Sequence, residues 1–220
     1  TAKQPYSFSS MKSRIITSAI GLCMAAVLAI VVMRLGMAWM AYETGSRMLD
    51  DHDVASAIEN YEVAISLDPG KALYHSSLGS VHFQLFQQTH GRQFAQRAIN
   101  ELQVAMKLNP LDGRLPGLLG HVYMNLYRLT EPANGASWLR EARVAYQRAT
   151  ELEPFTPFYL MELAKIAYAV QDFNSAEASV KRAIELVPNF LPGRQWLAYV
   201  YLETERASEA EHEYREILER

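Results

Sequence analysis

The side chains with the chemistry to hold a metal or move a proton are sparse in this sequence. Histidines stand at 52, 75, 82, 90, 121 and 212, and none pair at the i, i+4 spacing that puts two ligands on one helix face. His75 and His82 are seven residues apart, two helical turns on one face, with no carboxylate close in sequence to complete a site; they read as polar helix surface. Asp50-Asp51-His52-Asp53 has the composition of a ligand cluster, but it falls where a turn is expected and reads as solvated caps. The single cysteine, Cys23, has no partner for a disulfide and no companion thiols for zinc. There is no glycine-rich phosphate loop, no strained strand-to-helix serine turn and no paired-histidine protease motif. The expectation is a non-catalytic chain with no cofactor and no metal. With 21 Lys and Arg against 24 Asp and Glu, a net charge of −3 gives no basis for binding nucleic acid, which needs cations to neutralise phosphates.

The elements around these residues are more informative. Ile15 to Met33 reads IITSAIGLCMAAVLAIVVM, 19 residues without a charge. At about 1.5 Å per residue such a helix is about 28 Å long, close to the hydrocarbon thickness of a bilayer. Lys12 and Arg14 precede it, and Arg34, Trp39 and Tyr42 follow, the flanks expected at a membrane interface. A cleaved signal peptide, a lipoprotein anchor at Cys23 and a buried soluble helix are the alternatives. The run is too long for the first, and the residues before Cys23 do not suit the second. Lys3, Lys12 and Arg14 lie before the span, whereas Arg34 and Arg47 lie after it among four acids, which favours the N-terminus in the cytoplasm. The first residue is Thr1, so the chain is either processed or a piece of a longer protein, and it ends inside a helix without a capping helix.

The rest of the chain repeats itself. AISLDP, AMKLNP, ATELEP and AIELVP end at Pro69, Pro110, Pro154 and Pro188. Ala64, Ala105, Ala149 and Ala183 stand five residues before each proline, and Ala57, Ala98, Ala142 and Ala176 seven before those. A larger residue lies between each pair: Tyr61, Leu102, Tyr146 and Val180. Upstream stand Gly45, Gly79, Gly120, Ala164 and Ala198, and Ala210 and Tyr214 begin a fifth unit. The pattern resembles the tetratricopeptide repeat (TPR) family over residues 38 to 220. The resemblance implies an all-α TPR solenoid of about five helix pairs, at about 38–71, 72–112, 113–156, 157–190 and 191–220, and the apolar run places a transmembrane helix (13–37) before it, after a polar segment (1–12). Successive prolines are 41, 44 and 34 residues apart, so the second and third units are expected to have lengthened helices, with turns at Gly91 and at Pro132-Ala-Asn-Gly135. With no break before Trp39, one helix is expected to run from about Ser13 to about Leu49.

The resemblance also implies a partner-binding groove on the first helix of each pair. Its residues are Phe83, Gln84, His121, Met124, Asn125, Phe158, Met161, Lys165, Tyr168, Gln195 and Tyr199, with Leu73, Ser76, Ser80, Arg114 and Leu202 beside them. The mixture lacks the basic clamp by which some family members hold a C-terminal carboxylate. The implied role is a membrane-anchored interaction scaffold or accessory subunit of a membrane complex. Its partners are proteins and, through 15–33, the lipid bilayer; its location is the bacterial inner membrane, with the repeats on the periplasmic side. YHSSLG and NPLDGRLPGLLGHVY after an apolar helix also loosely resemble the C-terminal region of O-antigen ligase or polymerase-like proteins of cell-surface polysaccharide assembly. A cytochrome-maturation or translocon-associated assembly factor is the third reading.

Overall fold

The computed structural model describes residues 8–130 and 132–219, with side chains described for 15–130 and 135–219. Ten α-helices and no strands occur among them: α1 (Phe8–Asp50), α2 (Val54–Leu67), α3 (Ala72–Thr89), α4 (Arg92–Leu108), α5 (Arg114–Arg128), α6 (Pro132–Leu152), α7 (Pro157–Ala169), α8 (Phe173–Leu186), α9 (Leu191–Glu203) and α10 (Ala207–Leu218). The fold divides at Gly70 into two compact units. The first contains the α1–α2 hairpin. The second contains α3 to α10, packed as successive antiparallel pairs.

Local chemistry ends each element. The residue before a proline is disfavoured in the helical region, and Asp68, Asn109 and Val187 accordingly leave it, at ψ 80°, 80° and 92°. Their amides, and that of Glu153, donate the last helical hydrogen bonds to Ala64, Ala105, Ala183 and Ala149, at 2.8–3.2 Å. Four of the turns between the helices of a pair use a left-handed residue, at φ 64° in His52, 55° in His90, 61° in Gln171 and 59° in Glu205. The following Asp53 and Asp172 then accept at Oδ1 from the amides of Ser56 and Ser175, both at 3.1 Å, capping α2 and α8. These bonds hold both carboxyls below the usual carboxylate range. The acidic run at Asp50 to Asp53 is thus a helix stop joined to a helix start.

The tight helix pairing follows from matched sizes. A Cβ added at Gly45 would stand 3.0 Å from the Tyr61 ring, one at Gly79 3.0 Å from Leu102, and one at Gly120 2.8 Å from the Tyr146 ring. Where the facing residue shrinks to Val180, the fourth unit has Ala164 instead, and both are fully buried in one cluster.

Helices α3 and α4 run 18 and 17 residues, α5 and α6 15 and 21, against 12 to 14 for α7 to α10. The long first helix begins at Phe8 and continues to Asp50; Thr1–Ser7 lie outside the described residues. Gly91 does stand at a turn, immediately before α4. Pro132–Gly135 does not: Pro132 opens α6, because the first turn of a helix needs no amide donor at that position.

Gly120→Ala is expected to lower stability by about 1–3 kcal/mol, overpacking against Tyr146 outweighing the better helix propensity of alanine. In a Tyr146→Val background, which recreates the Ala164–Val180 pair, the same change should cost at least about 1 kcal/mol less. Denaturant unfolding of the four variants checks this; equal costs in both backgrounds would refute the size match.

Candidate functional site

The face expected to bind a partner is carried by α3, α5, α7 and α9. Of its residues, Gln84, His121, Phe158, Gln195 and Tyr199 are exposed, and Asn125, Lys165 and Tyr168 are partly buried. Three expected lining residues lie elsewhere. Phe83 and Met124 belong to the core formed by α3 to α7, and Met161 is buried with Leu160, Ala183 and Phe190. Arg114 folds back on Asp112 at 2.7 Å.

Two groupings form on this face. Between α7 and α9, the Tyr168 and Tyr199 hydroxyls are 2.8 Å apart. Trp196 meets the Tyr168 ring edge-on at 5.6 Å and lies 5.3 Å from Tyr199, and Phe173 closes the other side of Tyr168 at 5.5 Å. The hydrogen bond with Tyr199 raises the Tyr168 pKa, as do desolvation and the neighbouring Glu203. On α5, His121 Nδ1 lies 3.0 Å from Tyr146 Oη. Burial pushes the Tyr146 pKa far up, so its phenol stays protonated against the imidazole. Although the residue as a whole is exposed, the ring edge against Tyr146 is desolvated and its pKa is lowered. Lys165 is tied to the buried Glu162 at 2.6 Å. The face therefore offers aromatic surface, one imidazole and amides, with its lysine already paired.

The opposite side holds a feature that the groove pattern does not point to. A furrow of about 600 Å³ between α4 and α6, floored by α5, is lined by Met106, Leu119, Tyr123 and Val144, with Lys107, Glu141 and Arg148 at its rim. A second, of about 750 Å³, lies between α6 and α8 over α7, with Thr150, Leu163, Ala178 and Arg182 at the repeat-equivalent positions. The signal for both was present in the offsets from the repeated alanines. The first is apolar where the second has Thr150 and Ala178.

Similarity to known proteins fits this geometry. No family model matches the chain. It is 26% identical over 135 residues to small glutamine-rich tetratricopeptide repeat-containing protein 2 of Mycosarcoma maydis, across 61% of this chain and 34% of that protein. The chain thus spans about a third of the length of the curated relative it matches. A crystal structure of MamA superposes with a TM-score of 0.67 over 80% of this chain and 92% of that one, at 18% identity. The fold is the tetratricopeptide repeat. YrrB, a TPR protein with an unusual peptide-binding site, superposes with a TM-score of 0.61 at 16% identity, over 81% of this chain and 84% of its own. Identities this low show a shared TPR fold and nothing finer.

His75 and His82 are not polar surface. Both are buried, His75 with its Nδ1 2.7 Å from Glu101 Oε2. His82 is 2% exposed and stacks on Phe94 at 6.3 Å, and its Nδ1 has no hydrogen-bond partner among the described residues. Nor does any group of three or more His, Cys, Asp or Glu side chains able to hold a metal occur among them.

Burial, then the nearby Arg97, depress the His82 pKa; Glu101 acts against them. In the unfolded chain the ring titrates near about 6.5. Below that pH the unfolded state takes up the proton more readily, so stability falls as pH drops. The melting temperature should decline from pH 7.5 to 5.5, and His82→Leu should flatten the decline. At pH 7.5 that variant should be neutral or gain about 1 kcal/mol, since it removes an unpaired buried nitrogen. An unchanged pH slope in His82→Leu would clear His82 of the effect.

Proposed function

We propose that this protein is a membrane-anchored TPR scaffold that holds a partner polypeptide along the face of α3, α5, α7 and α9. The observation that carries this is the open aromatic strip at Tyr168 and Tyr199. On the same helices Ala164, Ile166, Ala198 and Val200 are at 0% exposure, yet Tyr199 and Leu202 stay 38% and 49% exposed. Exposed aromatic and aliphatic side chains between few free charges suit an extended segment or an amphipathic helix. The peptide-binding site named for YrrB supports the same use of a TPR fold.

The anchor is α1. Every side chain from Ile15 to Met37 is exposed in the protein itself, unlike a core helix of a soluble fold, and the stretch is long and apolar enough to cross a bilayer. The charge balance around it supports the N-terminus in the cytoplasm and the repeats on the periplasmic side of a bacterial inner membrane.

Photo-crosslinking in intact membranes tests the reading. A photoreactive residue at Tyr199 is expected to give a discrete protein adduct, and one at Val144 in the outer furrow none. Tyr199→Ala should weaken the captured complex by about tenfold, the loss typical of one aromatic anchor. Adducts from Val144 alone would move the binding face to the furrow, and adducts from neither would remove the scaffold role.

A further inference from the structure

In α1 the boundary between apolar and polar surface is not level around the helix. On the side facing α2, charge begins at Arg34, whose Nε and Nη2 donate to the carbonyls of Leu67 and Ser66, at 2.7 and 3.1 Å. Those oxygens end α2 and have no amide of their own helix to accept from, and the cation is also favoured there by the helix dipole. Arg34 thus has strong acceptors within the protein and does not require a lipid phosphate. On the other sides, the apolar surface continues past it. Leu35, Met37, Trp39 and Met40 are 45%, 41%, 47% and 61% exposed, and Val63 on the adjoining hairpin arm is 48% exposed. Polarity returns only with Glu43, Thr44 and Arg47, one turn further on.

We infer that this collar of Leu35, Met37, Trp39, Met40 and Val63 is a lipid-contacting surface, which seats the base of the α1–α2 hairpin in the headgroup layer of the bilayer. The inference rests on the membrane-anchored reading. Lengths agree with it. Ile15 to Met40 measures about 39 Å at about 1.5 Å per residue, more than a hydrocarbon core of about 30 Å but within the 40–45 Å that includes both interfaces. The six residues after Arg34 account for the extra ~9 Å. Trp39 is the side chain suited to that depth, apolar in body with one donor. It is held in place by a run of rings, 5.4 Å to Tyr42 and 5.6 Å on to Tyr61. Tyr61 is fixed in turn by Ser46 at 3.1 Å.

The full chain carrying Trp138→Phe and Trp196→Phe leaves Trp39 as its one indole, for reconstitution into phosphatidylcholine vesicles. Shallow headgroup-labelled quencher lipids are expected to quench Trp39 about twofold more than lipids brominated deep in the acyl chain, as for an interfacial indole. Aqueous iodide should quench it weakly. Floating protein whose Trp39 is quenched by iodide and not by lipid would overturn the collar while leaving the anchor intact; deeper quenching exceeding shallow would overturn it too. Protein that fails to float with the vesicles would remove the anchor and the collar together. Should the tryptophan changes prevent folding, a nitroxide at Met40→Cys in a Cys23→Ser chain gives the same answer. It should collide more with oxygen than with an aqueous nickel chelate, and a label at Glu43→Cys should show the reverse.

Discussion

Everything in this fold depends on how closely the two helices of a pair approach each other. Gly45, Gly79 and Gly120 leave room for Tyr61, Leu102 and Tyr146, which are all but completely buried. A glycine inside a helix costs about 1 kcal/mol relative to alanine, so its recurrence at one register needs a packing reason, and the facing ring or isobutyl group supplies it. The fourth unit reaches the same closeness with Ala164 and the smaller Val180. Because Tyr146 is placed by Gly120, the His121 imidazole above it is placed as well. The exposed face of α5 inherits its geometry from the core in this way.

A second set of ties, within the last pair and between it and α8, is polar. Arg194 bonds Glu213 at 2.8 Å with both side chains nearly buried. Arg206 reaches Glu177 at 2.7 Å and Glu209 at 2.8 Å while standing over the Tyr201 ring at 4.4 Å. Glu209, hydrogen-bonded by Ser208 and Arg206, is pushed down to about 2. Breaking one partner of a buried pair leaves a charge without compensation, so the Arg194–Glu213 bond fixes α10 against α9, and the more exposed Arg206 links α8 to the same pair. The Tyr168–Tyr199 contact lies on the face of that block.

Much of this was legible in the sequence because alanines, glycines and prolines at fixed offsets have one geometric meaning each. Helix ends, the lengthened second and third units and the uninterrupted α1 follow from them. The side chains were less legible where the lengthened helices add surface. His82 reads as polar until Phe94, on the extended α4, covers it. Met124 and Met161 occupy groove offsets, but a flexible thioether turns into whatever gap the core leaves, and both did. Pro132 has the composition of a turn, yet a proline is also a good first residue of a helix. The outer furrows need three helices at once, so their lining shows only when offsets from the alanines of adjacent repeats are combined.

The continuity of α1 has a geometric consequence for the chain. From Phe8 to Asp50 there is one helix and no swivel, so the apolar stretch and the first repeat share a single angular phase. One residue added or removed anywhere between them rotates one against the other by about 100°, at 3.6 residues per turn. The residue count of the apolar stretch therefore sets which of its faces lies in line with each face of the first repeat. The apolar stretch is thereby a rigid extension of the first repeat, with a set length and a set angular register.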